Sequence, residues 1–178
     1  ARAWQQAYRT VADSPSDSEA DWIGIAATRL NARLVKAVFS EFCTDEVATD
    51  PTAAFGFTGR VLVAAGWKPG FSTDYDAVLL AERFGAKLLI NLSNIEKVFT
   101  DDPKKNPAAK PIEDITWQEF QNIVGTEWVP GKNSPFDPVA TDRARKLGLT
   151  VIVAAGKDTE NLARILNGGP FTGTTIHP

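Results

Sequence analysis

The chain has 178 residues, 43% of them hydrophobic, so it can bury a core and most simply forms one domain over residues 1–178. Its 19 Lys and Arg residues against 22 Asp and Glu residues give a net charge of -3, which excludes a broad basic field for a nucleic-acid polymer and favours a small ligand. The single cysteine excludes an internal disulfide and no apolar stretch approaches the roughly 20 residues that span a bilayer, so we expect a soluble, cytoplasmic protein that binds no membrane.

The first part of the chain is predicted to be helical. Apolar residues at helical spacing predict a short amphipathic helix over Arg2–Val11, which the Asp/Ser/Pro-rich segment 13–20 should break. A longer helix is predicted over about 23–42. Its apolar stripe, which we expect to face the core, consists of Ile25, Leu30, Leu34, Val38 and Phe42. The segment 44–59 is rich in Thr, Asp, Pro and Gly and is predicted to be a loop.

From residue 60 onward the pattern alternates between strands and helices. Predicted strands cover 60–64, 87–92, 150–154 and 174–176, and predicted helices cover 74–84, 116–124, 138–147 and 159–166. Thr116 with Glu119 is typical of a capping box, and Asp137 before Pro138 is typical of an N-cap followed by proline at the first helical position. The alternation predicts an α/β fold with a mainly parallel sheet covered on both faces.

Two junctions at the ends of predicted strands concentrate glycines, hydroxyls and carboxylates. The first is Gly-Trp-Lys-Pro-Gly-Phe-Ser-Thr-Asp at 66–74, which leads into a predicted helix. The second begins at Ser93 and runs past Phe99 to Asp102. Because ligands of open α/β sheets bind outside the carboxyl ends of parallel strands, we expect the two loops to build one site. A nucleotide is the leading candidate ligand.

Each of these chemical interpretations has a structural alternative. A helix N-terminus favours an anion, so the first junction suits a phosphate against Ser72 and Thr73, with Asp74 orienting a cation or a reacting group. The alternative is a turn in which Thr73 or Asp74 is the N-cap. In the second junction, Asp102 followed by proline and two lysines is also typical of a solvated turn. Asp137 is likewise typical of a structural cap.

Other chemistry has little support in the sequence. The glycine pattern of a P-loop and the dinucleotide fingerprint are absent from it. One cysteine and one histidine are too little material for a soft metal site, and we interpret His177 as a solvated tail residue. Arg29, Arg33 and Lys36 share one predicted helix, where a solvated face is the default interpretation and an oligomer contact the alternative. Trp67 either stacks on a base or packs beneath its loop.

Five ordered stretches carry a family resemblance. They are Asp-Trp-Ile-Gly-Ile at 21–25 with Thr-Arg-Leu-Asn-Ala at 28–32, Pro-Gly-Phe-Ser-Thr-Asp at 69–74, the segment 93–105 that begins Ser-Asn-Ile-Glu-Lys-Val-Phe, Asp-Pro at 137–138 with Ala140, and Gly-Thr-Thr-Ile at 173–176. In this order they resemble the archaeal type of uridylate (UMP) kinase, within the amino acid kinase family, over essentially the whole chain. The resemblance implies a three-layer α/β/α sandwich with a mainly parallel sheet, assembled as a homo-oligomer, usually a hexamer. It also implies transfer of the γ-phosphoryl group of ATP to UMP, with Mg²⁺ bound to ATP.

The resemblance further implies roles for individual residues. Asp21 would hold the ribose of UMP, and a loop would surround its base and phosphate. We call this the acceptor loop, and it consists of Trp67, Lys68, Pro69, Gly70, Phe71, Ser72 and Thr73. The implied ATP contacts are Arg2, Ser93, Phe99 and Asp102, and Asp74 and Asp137 are the implied catalytic acids beside the reacting phosphates. We expect these two carboxyl groups to approach one another, and Arg2 to point toward Thr73. No set of protein side chains is expected to hold a metal by itself.

Departures from the family pattern carry further expectations. The family's lysine and glycine-rich loops would lie before Ala1, so the chain as given is expected to lack its N-terminal strands and kinase activity. Lys97 replaces a glycine and Phe99 a tyrosine where the family has Val-Asp-Gly-Val-Tyr. Trp67 and Lys68 replace smaller or polar residues of the family's acceptor loop. Another small phosphorylated or carboxylated molecule is therefore an alternative acceptor to UMP. The main alternative function is nucleotide binding for storage or regulation without catalysis.

Overall fold

The computed structural model describes residues 1–126 and 134–178, and it divides into two compact units, Ala1–Leu79 and Leu80–Pro178. The expectation of a single domain stays a prediction. Within the described residues no helix is both long and apolar enough to cross a membrane.

Two helices form much of the first unit. α1 covers Arg2–Val11, as predicted, and α2 covers Asp17–Val38. The start of α2 lies before the predicted residue 23, because the Ser16 hydroxyl caps the helix by accepting a hydrogen bond from the Glu19 N–H at 3.2 Å. α1 lies on α2, where the Gln5 side-chain amide donates to the Ala20 carbonyl at 3.1 Å.

The predicted core face of α2 is largely wrong. Only Ile25 of the apolar stripe is buried, whereas Leu30, Leu34 and Val38 are 69%, 64% and 66% exposed. The buried positions of the helix are mostly small residues, Ala20, Gly24 and Ala32 together with Ile25. Close approach of neighbouring segments therefore selects the face with the small side chains, and the larger apolar residues are left on the surface.

The predicted strand 60–64 does not form. Ala48 and Ala64 make an isolated parallel bridge, and the first two N–H groups of the segment both donate to the carbonyl of Phe42. The segment thus meets two separate partners and has no continuous neighbouring strand to complete a ladder. The predicted loop over 44–59 is confirmed apart from this bridge. α3, Thr73–Phe84, then begins one residue before its predicted start.

The second unit contains the remaining elements. They are β1 (Leu88–Ser93), β2 (Val98–Phe99), β3 (Pro111–Ile112), β4 (Asp114–Thr116), α4 (Trp117–Val124), α5 (Pro138–Lys146), β5 (Thr150–Ala155), α6 (Thr159–Leu166) and β6 (Thr174–His177). The helices and long strands agree with the predictions within one or two residues. The capping box at Thr116 is present, with both reciprocal hydrogen bonds to Glu119. β2, β3 and β4 were not predicted, because strands of two or three residues are too short to show a period.

The main sheet is mixed and mostly parallel. Its strand order is β1-β5-β6-β4, with β1 parallel to β5, β4 parallel to β6, and β5 antiparallel to β6. β2 and β3 form a separate antiparallel pair. The predicted α/β class with a mainly parallel sheet is confirmed.

An aromatic cluster lies at the start of α4. The Trp117 indole N–H donates to the Leu149 carbonyl at 2.7 Å, and its ring centroid lies 6.1 Å from Phe120 and 6.2 Å from Phe136. All three rings are buried. Phe136 directly precedes Asp137, so this cluster fixes the chain where α5 begins.

His177 belongs to β6, so its interpretation as a solvated tail residue is wrong. Its Nε2 lies 2.8 Å from Asp114 Oδ1 on β4, the parallel neighbour of β6. The hydrogen bond to the Asp114 carboxylate, together with that to the Pro178 carbonyl, raises the pKa of His177 above its usual value.

We expect a small loss of thermal stability as the pH rises through the raised pKa of His177. In the unfolded chain the histidine titrates at about pH 6.5. The stabilisation that protonation provides is therefore fully present below that pH, and it is lost as the pH rises through the higher folded-state pKa. The effect should be modest because the Asp114 side chain is 69% exposed. Melting temperatures of wild type, His177→Gln and Asp114→Asn between about pH 5.5 and 8.5 check this. A difference from wild type that does not change with pH would contradict it.

Candidate functional site

The acceptor loop is held through its backbone by α2 and α3. Arg29 on α2 donates from Nη2 to the Trp67 carbonyl at 2.8 Å and from Nε to the Gly66 carbonyl at 3.3 Å. On the other side, the Trp67 N–H donates to Asp76 Oδ2 on α3 at 3.1 Å. Charged side chains from two helices therefore fix the peptide groups on either side of Trp67.

Gly66 packs closely against α2. The residue is buried, and its N–H donates to the Thr28 hydroxyl at 3.0 Å. A Cβ at this position would lie 3.0 Å from that hydroxyl and 3.4 Å from Ile25 Cγ1. A side chain at this position would therefore require the Thr28 side chain or the loop to shift by a few tenths of an ångström.

The side chains of the acceptor loop form an aromatic surface that carries a cation. The Lys68 Nζ lies 3.9 Å from the centre of a Trp67 ring and 5.0 Å from that of Phe71. The Trp67 and Phe71 ring centres are 4.7 Å apart, and Phe71 continues to Tyr75 at 5.5 Å. Flat rings beside an ammonium group can contact a planar base and attract an anion.

At the first junction the Ser72 hydroxyl caps α3 by accepting a hydrogen bond from the Tyr75 N–H at 3.1 Å. The structural alternative for this junction names Thr73 or Asp74 as the cap instead. The Ser72 O–H is a donor that this bond does not use. Gly70 has φ +85°, a conformation that favours glycine and shapes the turn. The phosphate contact at Ser72 and Thr73 stays a prediction.

Two acidic residues near Trp67 were missed in the sequence. Asp76 is 5% exposed, and its burial raises the pKa of its carboxyl. The hydrogen bond from the Trp67 N–H lowers this pKa, whereas the charge of Asp50 raises it. Among the described residues its Oδ1 has no hydrogen-bond partner. The pKa of Asp50 is lowered mainly by the Thr52 hydroxyl and N–H, and to a lesser degree by a side-chain hydrogen bond from Trp67. Neither acid belongs to a recognisable motif, so no local signal marked them.

The solvated-face interpretation is wrong for Arg29 and correct for Arg33. Arg29 is only partly exposed and bonded to the acceptor loop, whereas the Arg33 side chain is 70% exposed and lies 3.8 Å from Glu46. Lys36 also contacts Glu46, at 3.2 Å. The two arginines are one helical turn apart, so only the tertiary structure distinguishes their roles.

In the second unit, the carboxyl ends of β1 and β5 border a cavity. Ser93 and Ala155 are opposite one another in register, and the Gly156 N–H donates to the Ser93 carbonyl at 2.8 Å. The cavity has a volume of about 590 Å³ and is lined by Asn94, Glu96, Ala155, Lys157, Asp158, Thr159 and Glu160. The second predicted junction thus follows a strand and lies beside this cavity, whereas the first junction follows no strand, because 60–64 makes only the bridge of Ala64 to Ala48. The residues that follow β5 were not predicted.

The segment after β1 combines an ion pair with a turn. Lys97 Nζ lies 2.6 Å from Glu113 Oε1, and Phe99 lies in β2, partly exposed. The exposed Asp102 accepts a hydrogen bond from the Lys104 N–H at 3.0 Å through its carboxylate, as expected of the turn alternative. The ATP contacts of Ser93, Phe99 and Asp102 stay predictions.

The remaining predicted residues lie in different elements. Asp137 is buried and caps α5, its Oδ1 accepting from the Ala140 N–H at 2.8 Å. Asp74 lies in the first turn of α3, Asp21 is partly exposed on α2, and Arg2 is exposed at the start of α1. The capping interpretation of Asp137 is confirmed. The functional roles of these four residues, and the approach of Asp74 to Asp137, stay predictions.

Comparison with known proteins gives consistent matches. The model of the amino acid kinase family matches residues 2–155. A uridylate kinase of Methanospirillum hungatei is 36% identical over 174 residues, which cover 95% of this chain and 74% of that protein. A uridylate kinase of Pyrococcus abyssi is 36% identical over 161 residues, which cover 89% of this chain and 71% of that protein.

Solved structures with the same architecture include a uridylate kinase from Archaeoglobus fulgidus. It superposes with a TM-score of 0.80 at 30% identity, covering 98% of this chain and 78% of that one. A UMP kinase from Bacillus anthracis has a TM-score of 0.71 at 24% identity, with coverage of 97% and 73%, and is similar in fold alone.

Proposed function

Since this chain belongs to the amino acid kinase family, we propose that it is an ATP-dependent uridylate kinase. In the proposed reaction a phosphate oxygen of UMP attacks the γ-phosphorus of ATP, the bond to the β–γ bridging oxygen breaks, and ADP and UDP result. Such a reaction requires mainly that two anionic substrates be positioned and their charge neutralised.

The observation that carries the proposal is the acceptor loop. The backbone of its Trp67 is held by α2 and α3, and its aromatic rings offer a contact surface for a pyrimidine base. Lys68 adds a positive charge beside the rings, and the N-terminus of α3 adds backbone N–H groups. We assign the base to Trp67 and Phe71, and the phosphate to Ser72 and Thr73. Asp21 is assigned to the ribose, and Arg2 to a phosphate of ATP.

The donor is assigned to the cavity at the ends of β1 and β5. Its position outside the carboxyl ends of two parallel strands is typical of nucleotide sites in α/β folds. Ser93, Phe99 and Asp102 are the proposed contacts to ATP. Lys157 in the cavity lining adds a positive charge suited to phosphate.

The metal in this proposal enters with ATP. Within the described residues, no group of three or more His, Cys, Asp or Glu side chains could hold a metal ion. Mg²⁺ is commonly bound by substrate phosphates with one or two carboxylates, so it needs no such group. When bound, it would neutralise charge on the phosphates of ATP. Asp74, Asp102 and Asp137 are the carboxylates assigned to the reacting or metal-bound phosphates.

A homo-oligomer is the proposed assembly, and a hexamer is the form that the family resemblance favours. Supporting it is the exposed stripe of Leu30, Leu34 and Val38 on α2, since soluble proteins rarely leave such contiguous apolar surface uncovered.

Release of ADP from Mg-ATP, measured with different acceptors, tests the proposed activity in the full-length protein. We expect release with UMP, little with AMP or a small carboxylate acceptor, and none without Mg²⁺. Release with a carboxylate acceptor but not with UMP would identify a kinase of another substrate class. Saturable ATP binding without any turnover would favour the nucleotide-binding alternative.

Replacing Lys97 should modestly strengthen ATP binding. The family resemblance implies a glycine at the position of Lys97, and the ion pair of Lys97 with Glu113 ties the donor-side segment to the residue between β3 and β4. We expect Lys97→Gly to lower the Kd for ATP measured by calorimetry, while Glu113→Gln, which breaks the same ion pair and keeps the lysine, has a smaller effect because exposed ion pairs contribute little. No gain in affinity for Lys97→Gly would count against the prediction.

A further inference from the structure

Both backbone polar groups of Trp67 are held by charged side chains. Arg29 binds its carbonyl at 2.8 Å, and Asp76 accepts from its N–H at 3.1 Å. The two partners come from α2 and α3, so two helices hold the backbone of one loop residue.

The anchoring by Asp76 costs free energy. Its carboxylate is 5% exposed, and only Oδ2 has a hydrogen-bond partner among the described residues. A buried carboxylate with one oxygen unpaired is destabilising, and the charge of Asp50 adds to the cost. Stability alone would be better served by an apolar residue here, so the position of Asp76 is better explained by what it does to Trp67.

Arg29 complements Asp76 from the other side of the same residue. Its guanidinium donates to two successive carbonyls, those of Gly66 and Trp67, which a lysine ammonium cannot match with the same fixed geometry. The two side chains therefore determine the orientation of the peptide groups on both sides of Trp67. This orientation in turn sets where the Trp67 ring lies and where Lys68 leaves the backbone.

We propose that Arg29 and Asp76 are positioning residues that fix Trp67 and Lys68 for recognition of the acceptor nucleotide. The inference rests on the proposed function, because it takes the acceptor loop to be the UMP site. Neither side chain needs to touch the acceptor. Their effect passes through the backbone of Trp67, so it should appear in acceptor affinity and not in ATP affinity.

Kinetics of four variants of the full-length protein test the proposal. Arg29→Lys and Asp76→Ala should each raise the KM for UMP at least about tenfold, the loss expected when a hydrogen bond to a charged group is removed, with the KM for ATP within about twofold of wild type. Asp76→Asn keeps an oxygen acceptor for the Trp67 N–H and should retain most of the wild-type KM. Arg33→Ala is the matched control, since this arginine lies one turn along α2 and is 70% exposed.

Hydrogen exchange of the Trp67 amide supplies a readout that does not depend on activity. We expect faster exchange in Asp76→Ala than in wild type, and near-normal exchange in Asp76→Asn. An unchanged KM for UMP in the Arg29 and Asp76 variants, or an equal rise in the KM values for both substrates, would overturn the proposal while the kinase function stands. If wild type neither binds nor phosphorylates UMP, the proposed function fails, and with it this role of the two residues.

Discussion

Replacing Asp137 by serine should lower kcat at least about a hundredfold while it lowers the thermal stability less than replacement by alanine does. Asp137 has two roles that this variant separates. As the N-cap of α5 it accepts a hydrogen bond from the Ala140 N–H, which a serine hydroxyl can also accept. As a carboxylate it is proposed to act on the reacting phosphates, which serine cannot do. Steady-state kinetics with Mg-ATP and UMP, together with thermal melts, give both quantities.

Three further variants make this prediction decisive. Asp137→Ala removes both roles, so it should also lower the melting temperature by about 2–4 °C, the equivalent of roughly 1 kcal/mol. Asp74→Asn should lower kcat to a similar degree, because an amide of the same size lacks the charge that the proposed role requires. Asp142→Asn alters an acid of α5 that pairs with Lys146, and it should leave kcat unchanged. Full activity in Asp137→Ser would show that Asp137 is a structural cap only.

Replacing Trp117 by alanine should lower the melting temperature by about 10 °C or more, because removing a buried tryptophan costs roughly 3–5 kcal/mol. The side chain is 1% exposed, contacts Phe120 and Phe136, and donates a hydrogen bond to the Leu149 carbonyl. Its removal leaves a cavity and an unsatisfied carbonyl. Urea unfolding of the full-length protein measures the loss directly.

The contribution of the indole N–H can be separated from that of packing. Trp117→Phe retains much of the aromatic contact but leaves the Leu149 carbonyl without its donor, and we expect a loss of about 1–3 kcal/mol from that change. Trp4 is the matched control, because it is 65% exposed and Trp4→Ala should alter stability by no more than about 0.5 kcal/mol. A loss below about 1 kcal/mol in Trp117→Ala would contradict the conclusion that the buried ring contacts of Trp117 stabilise the second unit.

The sequence was most informative in the second unit. The capping box at Thr116, the cap at Asp137 and the apolar run that became β5 each depend on residues within one short segment. Interactions of this kind need no partner from elsewhere in the chain, so the sequence of the segment alone predicts them. The strand ends that border the cavity followed from them. The acceptor loop was recognised from its own short run of residues, although the strand predicted before it does not form.

The first unit shows the limit of such signals. The stripe of Leu30, Leu34 and Val38 has the period of a core face, but the helix turns its small residues inward. The segment 60–64 has the composition of a strand but only the isolated bridge of Ala64 to Ala48. Which face of α2 is buried, and whether 60–64 forms a strand, both depend on the segments that pack against them. A period within one segment does not predict those neighbours.

Local sequence patterns were sufficient to predict the fold class and most of the helices and strands. Only the tertiary structure distinguished Arg29 from Arg33, found the buried carboxylate of Asp76, and placed Lys157 beside a cavity. The reason is physical: helix periods and caps are interactions between residues a few positions apart, whereas Arg29 acts on a carbonyl 38 residues away. An arginine that anchors a loop and one that faces solvent have the same local sequence preferences, and they differ only in what the folded chain brings to them.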